Sequence, residues 1–298
     1  MLIPDRLNDL VAEGFIQSVV RPLKSGKEAA VFVVMVEGHQ RAAKVYKGLQ
    51  QRTFRNRHDY LDGRQSGDSR QQRAMDKGSR FGKKQSEEAW QSAEATAMAT
   101  LFAAGVRIPR VHQHLDGVIL MDLVVGDDGE PAPQLAACRF TREQAMRSHH
   151  LLMHQIARML CAGLVHGDLS EFNVLLAADG PVIIDLPQAI DATKNNNAKR
   201  ILLRDVANIT RFFSRWAPEL RRSDYGQEMW LMLEHAALTP TTQLTGHFTH
   251  ARQTVDAAIV LREIQSAKED AVKRAEVKAW REEQARLKAE KNIGGGRR

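Results

Sequence analysis

The chain has 298 residues, a formal net charge of +7, and 43% apolar and 27% charged residues, a globular balance with enough chain for two lobes. The longest apolar run, "AAVFVVMV" at 29–36, is far too short for a bilayer span. The start "MLIPDRLNDLVAEG" lacks a basic region followed by an apolar one, so neither membrane insertion nor secretion is expected and the expected location is cytoplasmic. Cys138 and Cys161 are the only cysteines and stand in no ligand spacing, which argues against a disulfide scaffold or a structural zinc.

Residues 5–19 have helical spacing with Gly14 as the stop, and "AAVFVVMVEGHQRAAKVYK" reads as two strands around a tight "EGHQ" turn. Residues 50–84 show no clean period and read as a long insertion. A helix follows at about 86–104, then a strand pair around Asp116-Gly117. From "REQAMRSHHLLMHQIARMLCAG" onward the pattern is helical, interrupted by "NVLLA" and "PVIID" as two short strands, and resuming at about 198–215 and 224–237. The last forty residues are nearly all helix formers, with favourable i,i+4 pairs such as Glu269 with Lys273. The expected fold class is α+β. Its parts are an N-terminal helix (1–23), a small β-rich lobe (24–121) carrying a basic insertion (50–85), a helical lobe (122–240) and a basic helical tail (241–298).

Charge is unevenly placed. Segment 52–84 carries +6 and the tail from 262 carries +4, leaving −3 for the rest. Both basic segments suit a polyanionic partner such as RNA, with a solvated loop or helix as the plainer reading.

The chemistry concentrates in "LVHGDLSEFNVLLAADGPVIIDLPQ" at 164–188. Its "HGDLSEFN" fits the H-x-D-L-x-x-x-N loop of phosphotransferases, whose order and spacing turn-forming residues alone do not explain. Asp168 stands where an acceptor hydroxyl would arrive. Asn173, five residues on, and Asp185, after "VII", supply hard oxygens for Mg²⁺ (or Mn²⁺). His166 reads as a packing histidine that braces the loop. Upstream, "KSGKEAAVF" occupies the place of a phosphate-covering loop, with Ser25, Gly26 and Lys27 as candidate contacts. Lys44, flanked by apolar residues, needs an anion: the α/β-phosphates of ATP and a helix glutamate. Glu94 is the chosen glutamate over Glu87 and Glu88. Met121, Leu123 and Val124 fall where a linker backbone would meet adenine.

Together "SGKEAAVF", "AAKVYK", "MDLVVGDDGEPAPQL", "LVHGDLSEFNVLL" and "VIIDLPQAID" resemble the RIO family of atypical serine/threonine kinases, in its short bacterial form. The resemblance runs from about 24 to 215. It implies a bilobal kinase fold with ATP and Mg²⁺ between the lobes. Lys44 would bind phosphate, Asp168 would be the catalytic aspartate, and Asn173 and Asp185 would bind metal. It also implies that Asp185 can accept a phosphoryl group, and it brings a ribosomal partner into view by analogy. Gly167 stands in place of the arginine of H-R-D, and "DLPQ" in place of D-F-G. Asp205 follows Asp185 by only twenty residues, too few for a full activation segment, and is expected to brace the loop from the next helix. Two rival readings remain. One is a small-molecule phosphotransferase, because "HGDLSEFNVLL" also resembles the "HGDLHPGN" loop of aminoglycoside and choline kinases. The other is an RNA or ribosome binder with vestigial ATP use.

Overall fold

A computed structural model describes residues 3–26, 28–47, 80–115 and 117–247, with side chains from Ser92 onward in the helix that starts at Arg80. The chain divides into two compact units, Met1–Phe248 and Thr249–Arg298. The second unit lies outside the described residues, as do Lys27, most of the basic insertion and the basic tail.

Helix α1 (Asp5–Ala12) is followed by strands β1 (Ser18–Ser25), β2 (Ala29–Val36) and β3 (His39–Tyr46). Helix α2 (Arg80–Ala103) leads into β4 (Val111–Leu115) and β5 (Val118–Asp122). The strands form one sheet in the order β1-β2-β3-β5-β4, antiparallel at every pairing. Alternation sets its two faces. Ala30, Phe32 and Val34 of β2, Ala43 and Val45 of β3, and Val118 and Leu120 of β5 form one cluster with Leu7, Leu10 and Ile16. Val31, Ala42, Lys44 and Met121 face the other way and line a cleft.

The elements of the small lobe differ from the sequence reading in three respects. The first helix ends at Ala12, and β1 takes up part of what read as helix. β1 is an exposed edge strand containing Pro22, so it has neither a buried alternation nor a proline-free run to announce it. Helix α2 begins at Arg80, inside the stretch read as insertion.

The helical lobe comprises α3 (Arg142–Cys161), the short pair β6 (Leu164–Val165) and β9 (Ile190–Asp191), the hairpin β7 (Val174–Ala177) and β8 (Gly180–Ile183), α4 (Ala198–Phe213) and α5 (Tyr225–Glu234). A capping box starts α3: Gln144 N–H donates to Thr141 Oγ1 at 3.2 Å and Thr141 N–H to Gln144 Oε1 at 2.8 Å. Such a cap stabilises a helix by about 1 kcal/mol. Leu152, Met153, Ile156 and Leu160 of α3 meet Ile201, Leu202, Ile209 and Phe213 of α4 in the larger core. Ala97, Met98 and Leu101 of α2 belong to that same cluster. Together with an antiparallel sheet in the small lobe and helices in the other, this is an α+β bilobal kinase-like fold.

Candidate active site

Lys44 is 8% exposed and Glu94 is 1% exposed. Helical spacing explains why Glu94 is inside: it shares a face of α2 with Ala97, Met98 and Leu101, at i+3, i+4 and i+7. Lys44 Nζ donates to Glu94 Oε1 at 2.7 Å and to Asp185 Oδ1 at 2.6 Å. Glu94 Oε1 also accepts from Leu186 N–H at 3.1 Å, and Glu94 Oε2 accepts from the hydroxyl of Tyr46, a residue buried in β3. One cation is therefore shared by two carboxylates. Burial works against the charged ammonium, but the attraction of Glu94 and Asp185 wins and raises the Lys44 pKa. For Asp185 burial also opposes charge, and Lys44 overrides it, so its pKa falls. Glu94 is the more deeply buried carboxylate, and there burial outweighs Lys44 and raises the pKa. Breaking such a buried pair by removing one partner costs about 3–5 kcal/mol.

Across the cleft, the loop between β6 and β7 carries the second group. His166 is 2% exposed. Its Nδ1 accepts from Asp168 N–H at 3.2 Å, which leaves the proton on Nε2, and Nε2–H donates to Ile184 O at 3.1 Å. Burial lowers its pKa to about 4, so it is a neutral brace rather than a base. Asn173 Nδ2 donates to Asp168 O at 2.8 Å, which leaves the amide oxygen as an acceptor. Asp168 opens to the cleft. Partial desolvation raises its pKa, while the nearby Arg204 guanidinium lowers it. Asp185 adopts φ +69°, a left-handed conformation that aspartate tolerates better than most residues and that often marks functional sites. Its side chain is 44% exposed. Asp205 is buried on the inner face of α4 and accepts from Gly167 N–H at 2.8 Å. Burial pushes its carboxyl up to about 7, against Arg204.

Lys44, Tyr46, Asp168, Asn173 and Asp185 line one cleft of about 850 Å³ between the lobes. Among the described residues, no three His, Cys, Asp or Glu side chains gather as a metal site. A lone carboxylate with an amide oxygen still fits a divalent ion that takes its other ligands from phosphates and water. Asp185 Oδ1 is engaged by Lys44 and Asn173 Nδ2 is anchored, so one oxygen of each side chain remains for that use.

Gly26, Met121, Leu123 and Val124 line the cleft. Met121 is still within β5, opposite Ala42, and the linker begins beyond Asp122. The Val124 carbonyl accepts from Ala132 N–H at 2.9 Å. Ser25 Oγ accepts from Lys47 Nζ at 2.9 Å, and Gly26 O accepts from the same ammonium at 2.7 Å. Lys27, Glu87 and Glu88 fall outside the described side chains. Sequence reasoning missed Tyr46, Lys24, Arg204 and Asn208. Tyr46 lies two residues from Lys44 in the strand, on the same face, so strand alternation could have found it. Lys24 lines the cleft from β1 and its charge helps to lower the Asp185 pKa. Arg204 and Asn208 have no local signal, because their roles depend on how α4 docks.

A RIO domain model matches residues 30–227. The RIO-type serine/threonine-protein kinase Rio1 of Haloferax volcanii is 34% identical over 208 residues, covering 69% of this chain and 67% of that protein. The Rio1 kinase of Methanocaldococcus jannaschii is 31% identical over 210 residues, covering 70% of this chain and 67% of its own length. The human serine/threonine-protein kinase RIO1 is 29% identical over 208 residues, which are 69% of this chain and only 35% of the human protein. The chain thus spans about two thirds of the archaeal proteins and about a third of the human one.

Proposed function

The chain belongs to the RIO family of serine/threonine kinases, and we propose that it transfers the γ-phosphoryl group of ATP to a serine or threonine hydroxyl, or to its own Asp185 as an ATPase switch. The observation that carries this reading is the placing of Lys44, held by Glu94 and Asp185, on the same cleft as Asp168 and Asn173. Phosphoryl transfer asks the protein for positioning and charge neutralisation. Lys44 carries the fixed positive charge for the α/β-phosphates, and Glu94 and Tyr46 keep it in place. Asp168 orients the acceptor hydroxyl and takes its proton. Asn173 and Asp185 would hold the divalent ion, which would neutralise phosphate charge; their hard oxygens suit Mg²⁺, with Mn²⁺ as a substitute. Met121, Leu123 and Val124 accommodate adenine, and the backbone around Ser25, Gly26 and Lys27 covers the phosphates.

The functional division proposed is a small lobe to residue 121, with α1 and β1 as part of it and an insertion at 50–85, then a helical lobe (122–240) and a basic tail (241–298). The basic segment 52–84 and the tail are proposed to contact RNA or a ribosomal particle in the cytoplasm, on charge alone. Among the described residues no helix is long and apolar enough to cross a membrane.

The test is incubation with γ-labelled ATP and Mg²⁺, beside Asp168→Ala and Asp185→Asn, following protein-bound label and free phosphate. Acid-stable label on Ser or Thr, lost in both variants, is the kinase outcome. Acid-labile, hydroxylamine-sensitive label lost in Asp185→Asn is the switch outcome. Phosphorylation of an added aminoglycoside or choline instead, with no protein label, overturns the reading.

A further inference from the structure

Position 167 has no room for a side chain. Gly167 sits at φ +90°, and a Cβ there would lie 2.1 Å from Gln188 O and 2.8 Å from the Gln188 carbonyl carbon. Both the backbone conformation and the packing of the 185–189 loop demand glycine. An arginine next to the catalytic aspartate, as in H-R-D, is therefore sterically excluded.

An arginine reaches the same place from another element. Helix α4 turns Arg204, Asp205 and Asn208 toward the catalytic loop. The Arg204 guanidinium donates through Nη2 to Gly167 O, and the same Nη2 donates to Asp205 Oδ1 at 3.2 Å. Asp205 Oδ2 accepts from Gly167 N–H at 2.8 Å, and Asn208 Nδ2 donates to Leu169 O at 3.2 Å. Gly167 O and Asp168 N belong to one peptide unit. Its oxygen is held by Arg204 and its N–H by His166 Nδ1. A planar unit fixed at both ends does not rotate, and its orientation sets the direction in which the Asp168 side chain leaves the backbone. Asp205 also accepts from Leu169 N–H, in the peptide after Asp168, and Arg204 holds the oxygen of the peptide before it. The Arg204 side chain is 37% exposed, whereas that of Asp205 is 2% exposed, so a small cation in solution can reach the place of the one and not of the other.

We propose that Arg204 is a positioning residue for Asp168, taking from α4 the place beside the catalytic aspartate that position 167 cannot fill. The proposal rests on the kinase reading above, in which Asp168 receives the acceptor hydroxyl. Because Arg204 acts on the orientation of the catalytic group and not on the walls that hold the nucleotide, its loss belongs in kcat and not in the KM for ATP. A misplacement of about 1 Å at a reacting group costs on the order of 10²-fold in rate.

The experiment uses the full chain and measures phosphoryl transfer from ATP for the wild type, Arg204→Ala, Arg204→Lys and Asp168→Ala, with melting temperatures alongside. Arg204→Ala is expected to lower kcat on the order of 10²-fold with KM for ATP within about twofold. Millimolar guanidinium chloride should restore part of that loss, while equal sodium chloride or urea should not. Arg204→Lys, which keeps a donor but not the planar fork, should fall between the two. A kcat for Arg204→Ala close to wild type overturns the proposal, provided Asp168→Ala is inactive in the same assay. So does a loss that neither guanidinium nor lysine relieves and that tracks a drop in melting temperature, since that describes a structural arginine. If wild type and Asp168→Ala are equally inactive, the kinase reading fails and the role of Arg204 falls with it.

Discussion

The two loops that face each other across the cleft are built differently. The catalytic loop is held from its own chain and from α4: His166, Asn173, Arg204, Asp205 and Asn208 each bind one of its backbone groups. The turn between β1 and β2 is held mainly by backbone groups and by Lys47, whose N–H donates to Glu28 O at 2.9 Å. Gly26 N–H donates to Ala29 O at 2.9 Å, and Lys47 ties Ser25 and Gly26 from outside. One loop is pre-set for chemistry, where positional error is costly. The other, in the proposed reading, lies over the phosphates and works through its backbone. A side-chain-anchored loop leaves a readable spacing in the sequence, whereas a backbone cover leaves little more than one glycine.

The difference can be broken at its most demanding point. Asp168→Ala should reduce phosphoryl transfer by roughly 10³-fold or more while the melting temperature stays close to wild type, because the carboxylate opens to the cleft. Labelled-phosphate transfer with parallel thermal unfolding checks both halves of that statement.

A matched glycine pair sharpens the comparison directly. Gly167→Ala puts a Cβ 2.1 Å from Gln188 O at φ +90° and should cost about 3 kcal/mol of stability, together with activity. At Gly26 the nearest atom to an added Cβ is 3.4 Å away and the backbone is not left-handed. Gly26→Ala should therefore cost less than about 1 kcal/mol and show itself chiefly in KM for ATP. Denaturant unfolding of the two variants decides it, and equal losses would erase the proposed contrast.

The helical lobe also has a pH signature. His149 is fully buried, its Nδ1 has no partner among the described residues, and burial lowers its pKa to about 4, with His150 adding to the effect. The folded state thus binds this proton less readily than the unfolded chain. Its contribution is present above pH 6.5 and is lost as pH falls toward 4, amounting to about 2 kcal/mol at pH 5. Asp205, raised to about 7, works in the opposite direction and loses its contribution as pH rises through 7. His149→Phe should flatten the acid limb of a stability profile measured between pH 7.5 and pH 5, and an unchanged limb would assign acid sensitivity elsewhere.

Smaller effects are expected behind Lys44. Glu94→Gln keeps the shape and the acceptor oxygen but removes the charge, and should raise KM for ATP about tenfold. Tyr46→Phe removes only the hydroxyl that holds Glu94 Oε2 and should change KM by a few-fold. A larger effect for Tyr46→Phe than for Glu94→Gln would mean that the tyrosine, and not the carboxylate, governs the lysine.

Much of the site was legible because its residues follow one another at short intervals. His166, Asp168 and Asn173 share one loop, and Asp185 follows the short hairpin after it. Lys44 was visible as a charge in an apolar strand, and Glu94 as an acid in the following helix, farther from its start than Glu87 and Glu88. The edge strand β1 was not legible, since an exposed strand containing proline has no buried face to pattern it.

By itself the sequence determined the order of the main helices and of the 174–183 hairpin in the helical lobe, the strand that carries Lys44 and the spacing of the catalytic loop, because periodicity and short loops are local properties of the chain. Only the tertiary structure decided that Lys44 would bridge Glu94 and Asp185, residues 50 and 141 positions away. It also decided that Gln188 would press against Gly167, and that Arg204 would grip the peptide of Asp168. These contacts join residues that share no element, and the packing of the lobes and of α4 brings them within hydrogen-bond reach.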